Sequence, residues 1–136
     1  MVELNTISDI LKENNIKPSI QRMKIYSYLI NQKTHPTVEE IYLVLSKELP
    51  TLSKTTVYNT LNVFIENGIT QRLTIDENET RYDADVSDHG HFKCTNCGKV
   101  LDFRFEKLNY EANQLKDYEI KECHVYFKGK CNECKK

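Results

Sequence analysis

The chain has 136 residues, a formal net charge of −1, 39% hydrophobic residues and 29% charged ones. That length admits two small domains with modest cores, and no run approaches the roughly eighteen consecutive apolar residues of a membrane helix. The N-terminus, MVELNTISDILKEN, lacks the basic start, apolar middle and cleavage site of a secretory signal, so a cytoplasmic protein without a membrane partner is expected.

Residues 4 to 67 predict four helices. Leu4, Ile7, Ile10 and Leu11 recur at helical spacing until Asn14, Asn15 and Pro18 interrupt them. Ser19 is placed to cap a second helix with Met23, Tyr26, Leu29 and Ile30 on one face, ending near His35-Pro36. Thr37 and Glu40 fit a capping box for a third, carrying Val38, Ile41, Tyr42 and Leu45. Ser53 caps a fourth, with Val57, Leu61, Phe64 and Ile65 inward and a stop at Asn67-Gly68.

The period then changes. Ile69, Gln71, Leu73 and Ile75 alternate, Asp76 to Glu79 turns, and Thr80 to Ala84 returns as a hairpin. Helices followed by a two-stranded wing form the winged variant of the helix-turn-helix unit. A helical bundle with an unrelated hairpin satisfies the same pattern. After a short polar linker, strands at Phe92 to Cys94, Val100 to Phe103 and Tyr118 to Phe127 around a helix at Glu106 to Lys116 predict a small α/β domain. The fold class is therefore α+β. Through Val86 the chain carries 9 Lys and Arg against 12 Asp and Glu, and beyond it 10 against 8. Neither half has the basic footprint usual in a DNA reader. A DNA-binding role must come from local placement.

Cys94-x2-Cys97 and Cys131-x2-Cys134 each offer two thiolates to one side of a tetrahedral ion, the pattern of a closed structural zinc site. Redox-active thiol pairs are the competing use. Clamping the chain end onto strand 92 to 94 would staple a half too small to fold alone. Cys123, the odd cysteine, reads as a small core residue, with a metal contact alongside His124 as the other use. His89 and His91 stand at i and i+2, on one face of an extended segment, with Asp83 and Asp102 as carboxylate partners. Nitrogen and oxygen donors of this kind select Fe, Mn or Zn. Two solvent-exposed, titrating histidines satisfy the same spacing.

The segments SDHGHFKCTNCGKVLDF (87 to 103), HPTVEEIY (35 to 42), TTVYNTL (55 to 61) and RYD (81 to 83) together resemble the ferric uptake regulator family over nearly the whole chain. The resemblance implies a winged-helix DNA-binding domain at 1–84, a hinge at 85–91 and a dimerisation and zinc-binding domain at 92–136. It carries regulatory Fe2+ or Mn2+ ligation onto His35, Asp83, His89, His91 and Asp102, and structural Zn2+ onto Cys94, Cys97, Cys131 and Cys134. Asp83 and Asp102, where many iron-uptake regulators have Glu, and Asn59, where they commonly have Arg, resemble the peroxide-responsive branch. Gly90 and Cys123 depart from an Asp and a His that serve an accessory site in many iron-uptake regulators, which argues against a third metal. Ser19-Ile20 replaces a more usual Thr-Pro ahead of Gln21-Arg22.

The implied protein is a homodimeric repressor of an AT-rich palindromic operator in double-stranded DNA. Thr55, Tyr58 and Asn59 would read base edges, and Arg22, Lys54 and Arg72 would hold phosphates. Peroxide would act through Fe(II) to oxidise His35 or His89, ending repression. That reaction consumes the protein, so it is not an enzyme. The alternatives are an iron, manganese or zinc uptake repressor that responds to metal availability only, a small non-haem iron enzyme, and a zinc-stabilised interaction module.

Overall fold

The computed structural model describes residues 2–75, 78–86, 90–104, 113–119 and 124–136. The chain divides into two compact units, Met1–Val86 and Ser87–Lys136.

Among the described residues, the first unit consists of α1 (Leu4–Glu13), α2 (Ile20–Gln32), α3 (Val38–Leu45), α4 (Lys54–Glu66) and a hairpin of β1 (Gln71–Leu73) and β2 (Arg81–Asp83). Three helix starts are fixed by hydroxyl caps: Ser19 accepts from the Arg22 N–H, Thr37 from Glu40 and Ser53 from Thr56. α1 stops where Asn15 takes a left-handed φ of 63° and the Ile16 N–H reaches back to the Leu11 carbonyl at 2.9 Å. α4 closes similarly, with the Ile69 N–H on the Phe64 carbonyl at 3.0 Å.

The core of this unit joins Ile7 and Leu11 of α1, Ile25, Tyr26 and Leu29 of α2, Ile41 and Leu45 of α3, and Val57, Leu61 and Phe64 of α4. Tyr26 meets Phe64 edge-on, with centroids 5.4 Å apart. Each large aliphatic removed from water here contributes about 1.5–3 kcal/mol, which fixes α4 with its opposite face outward. Ile25, which the predicted face of α2 omitted, is fully buried, whereas Met23 and Ile30 are only partly so. In the hairpin, Gln71 pairs with Asp83, Arg72 with Tyr82 and Leu73 with Arg81.

The second unit is a three-stranded sheet in the order β4 (Val100–Phe103), β3 (Gly90–Cys94), β5 (Val125–Gly129). β3 is antiparallel to β4 and parallel to β5, in register from Gly90↔Val125 to Cys94↔Gly129. The expected strand at 118–127 is corrected by this pairing. Residues 125–127 lie in β5 as expected, residues 120–123 lie outside the described residues, and residues 118–119 are not in strand. β5 continues two residues past Phe127 because its parallel ladder follows β3 to the Cys94 end. Most of the helix expected at 106–116 lies outside the described residues, and its described end is a 3-10 turn, Asn113–Leu115.

Candidate functional site

Cysteine placement follows from that sheet. Cys94 ends β3, and a tight turn returns to β4 through the Gly98 N–H on the Cys94 carbonyl at 3.0 Å and the Cys94 N–H on the Lys99 carbonyl at 2.9 Å. Gly98 has a φ of 79°, which side-chain-bearing residues adopt only with strain. On the other edge, the Thr95 N–H donates to the Gly129 carbonyl at 2.7 Å, which ties the end of β5 to the same turn and brings Cys131 and Cys134 back to Cys94 and Cys97.

The four sulfurs lie within 4.8 Å of one another, with those of Cys97 and Cys131 3.9 Å apart. A tetrahedral ion with metal–sulfur bonds of about 2.3 Å spaces its sulfurs by roughly 3.8 Å, so the donor set fits one of zinc's size and softness. Local electrostatics agree. The backbone N–H groups of Cys97 and Cys131 both point at the Cys94 sulfur, each at 3.4 Å, and hold its thiol down at about 5. The Cys134 N–H lowers Cys131 in the same way. Cys134 itself is held up at about 11: a hydrogen bond with Asn96 pulls it down, but those with Cys131 and Cys94, together with burial, outweigh it. Crowded thiolates repel, and a cation among them would favour ionisation of the last.

In the first unit, His35 and Asp83 are buried and paired, with Nε2 3.6 Å from Oδ2. Asp83 is oriented by the Asp85 N–H, which donates to its Oδ1 at 2.9 Å. His35 stands in the left-handed region, with a φ of 54°, immediately before Pro36. A non-glycine residue there carries ~1–2 kcal/mol of strain, and a following proline favours extended backbone instead. Strain of this kind collects at functional positions because surrounding structure must enforce it.

In the second unit, His91 and Asp102 are directly opposite across the β3–β4 ladder, with Nε2 3.2 Å from Oδ1. Tyr126 of β5 shares the row, its ring centroid 6.1 Å from that of His91. One residue earlier, a Cβ on Gly90 would fall 2.3 Å from Cζ of Phe103, whose ring stacks on Phe127 at 5.1 Å. The Phe103 ring thus occupies the space of a side chain at Gly90, which accounts for the glycine there. His89 and Cys123, both singled out in the sequence, lie outside the described residues.

α4 presents Thr55, Tyr58 and Asn59 on its exposed side. Asn59 also lines a polar cleft of about 280 Å³ together with Arg22, Gln21 and Ser19 of the α2 start. Arg22 donates to the Lys17 carbonyl at 2.9 Å. Lys54 is engaged by Glu39 at 2.7 Å and stands 5.6 Å from the centre of the Tyr42 ring. The Glu39 hydrogen bond and charge raise its pKa, yet both side chains are more than half exposed, so the pair remains exchangeable. Arg72 donates to Asn62 of α4 at 2.9 Å.

Residues 13–136 match the family model described as the ferric uptake regulator family. The chain belongs to the ferric uptake regulator family. It is 38% identical over 138 aligned positions to the peroxide operon regulator of Bacillus subtilis, covering 98% of this chain and 94% of that one. Among solved structures, the Helicobacter pylori ferric uptake regulator Fur superposes with a TM-score of 0.77 at 24% identity, covering 99% of this chain and 95% of that one. PerR from Streptococcus pyogenes, whose structure is described as the structural basis for peroxide sensing and gene regulation by that protein, is 29% identical with a TM-score of 0.55, covering 98% of this chain and 94% of that one. The chain thus resembles the peroxide-responsive branch of the family.

Several residues of these sites escaped sequence reading. Thr56, Thr60 and Val63 complete the cleft wall beside Asn59, and the i, i+4 spacing of Thr56 and Thr60 with a position facing Asn59 was the available signal. Arg81 and Phe103 act on residues distant in sequence, His35 and Gly90, and carry no local signature of doing so. Among the described residues, no helix is long and apolar enough to cross a membrane.

Proposed function

We propose that the chain is a metal-dependent transcriptional repressor that senses hydrogen peroxide and releases the operators of oxidative-stress genes. The observation that carries this reading is its similarity, along nearly the whole chain, to a protein named a peroxide operon regulator.

The architecture supplies the parts. α2 to α4 with the β1–β2 hairpin act as a winged helix whose α4 enters the DNA major groove. Thr55, Tyr58 and Asn59 read base edges, while Arg22, Lys54 and Arg72 hold phosphates. Lys54 and Arg72 exchange their present partners, Glu39 and Asn62, for DNA oxygens. The second unit dimerises, so a palindromic operator matches the two-fold symmetry of the protein. Cys94, Cys97, Cys131 and Cys134 hold a structural Zn2+, which ties the chain end to β3.

Regulation rests on a second ion, Fe2+ or Mn2+, with His35, Asp83, His89, His91 and Asp102 as its ligands. Paired imidazole and carboxylate donors suit these ions, and the buried His35–Asp83 pair and the cross-strand His91–Asp102 pair are each preassembled. Metal bound by these ligands would select the DNA-competent state over the others the chain samples. An Fe(II) held by these residues would supply activation of hydrogen peroxide; the peroxide would take two electrons from a ligand imidazole, whose ring would gain one oxygen atom as one water leaves. His35 and His89 are the targets. An oxidised imidazole is a poor donor, so the ion would be lost and DNA released.

Operator affinity tests this directly. With Fe(II), binding is expected to collapse after stoichiometric peroxide, and with Mn(II) it is expected to survive. Equal survival with both metals would leave a repressor of metal uptake rather than a peroxide sensor.

A further inference from the structure

Three consecutive residues of β2 grip one turn. Arg81 donates from Nη1 to the His35 carbonyl at 3.1 Å, across 46 residues of sequence. The Tyr82 N–H donates to the Pro36 carbonyl at 3.0 Å. Asp83 then presents Oδ2 to the His35 ring.

The gripped turn does not hold its shape unaided. Lys33 and His35 both have positive φ, 52° and 54°, and neither is glycine. His35 also precedes a proline, which favours an extended backbone. A histidine relaxing to extended conformation would carry its ring away from Asp83. Tyr82 restrains Pro36 through a backbone N–H that any residue but proline would supply, whereas Arg81 reaches the His35 carbonyl with its side chain.

We propose that Arg81 is a positioning residue for the regulatory metal: by holding the His35 carbonyl, its guanidinium fixes the strained turn from which the imidazole faces Asp83. This rests on the reading of His35 and Asp83 as ligands. Partners that orient metal ligands commonly act through the second ring nitrogen of a histidine. Here the hold is on the backbone, and the planar fork of arginine suits a carbonyl reached from a neighbouring strand.

The test uses the full-length, zinc-loaded chain, with Mn(II) affinity measured by competition against a chromophoric chelator well below the melting transition. Arg81→Met is expected to weaken Mn(II) binding about tenfold and to speed amide exchange across residues 33–37 before Mn(II) is added. Arg81→Lys, which keeps a donor on a long stem, is expected to recover much of the affinity. Should Arg81→Met fail to fold, Arg81→Gln, too short to reach the carbonyl, carries the same expectation.

Asp83→Ala is the control for the ligand reading. Affinity within about twofold of wild type in Arg81→Met, alongside clear weakening in Asp83→Ala, would overturn the role of Arg81 and leave the ligands standing. No weakening in Asp83→Ala would remove the ligand reading, and the inference with it.

Discussion

His91 and Asp102 face each other across an antiparallel ladder, with Nε2 3.2 Å from Oδ1. Because side chains alternate between faces of a sheet, a slip of one residue would send them to opposite sides. Register is therefore part of the proposed metal chemistry, and the packing that fixes it becomes testable.

Gly90 is one determinant of that register. Gly90→Ala drives a methyl to 2.3 Å from the Phe103 ring, and overpacking of this kind costs about 1–3 kcal/mol. Thermal melting is expected to show that loss, with recovery in the double variant Gly90→Ala, Phe103→Leu. Full stability in the single variant would mean that the ring moves aside freely.

Asp102→Glu lengthens one carboxylate arm of the same pair. Metal-dependent operator binding is expected to persist, since the donor type is kept. Peroxide sensitivity of the Fe(II)-loaded protein is expected to fall. Anisotropy of labelled operator DNA before and after peroxide reads both.

The four-cysteine site makes a prediction about protons. Cys94, held at about 5, is already ionised at pH 7 and releases no proton on zinc loading, whereas Cys134, held at about 11, must release one. Acidification through pH 5 makes zinc displace a proton from Cys94 as well, so apparent affinity falls as pH falls. Calorimetric titration of the reduced, zinc-free chain in buffers of different ionisation enthalpy measures the release. Cys94→Ser or Cys131→Ser is expected to abolish stoichiometric zinc and the cooperative melting of the second unit.

On α4, Asn59→Ala and Tyr58→Ala are expected to narrow the ratio of operator to random-sequence affinity, because base contacts carry sequence information. Arg22→Ala and Lys54→Ala are expected to weaken both DNAs alike, each lowering the log–log salt slope by about 1. A Lys54→Ala variant with an unchanged slope would mean that Glu39 keeps this lysine in the complex.

Much of this is legible in the sequence where the signal is local. The hydroxyl caps at Ser19, Thr37 and Ser53 mark their helices directly, and the two C-x-x-C pairs announce one site by spacing. The span of β5 is not legible, because the alternating run from Tyr118 onward contains no stop and parallel pairing with β3 decides where the strand lies. Neither the left-handed backbone of His35 nor its hold by Arg81 has a local signature, because both arise when β2 docks beside the 33–36 turn. The family resemblance places His35 among the ligands, while its strain is visible only in three dimensions.

Peroxide sensing by histidine oxidation is the central claim, and peptide mass after anaerobic Fe(II) loading and a small excess of peroxide tests it most directly. One added oxygen atom on a peptide holding His35 or His89, absent from an Mn(II)-loaded control and accompanied by loss of operator binding, is the predicted result. Unmodified histidines in a protein whose DNA binding still follows metal would contradict it.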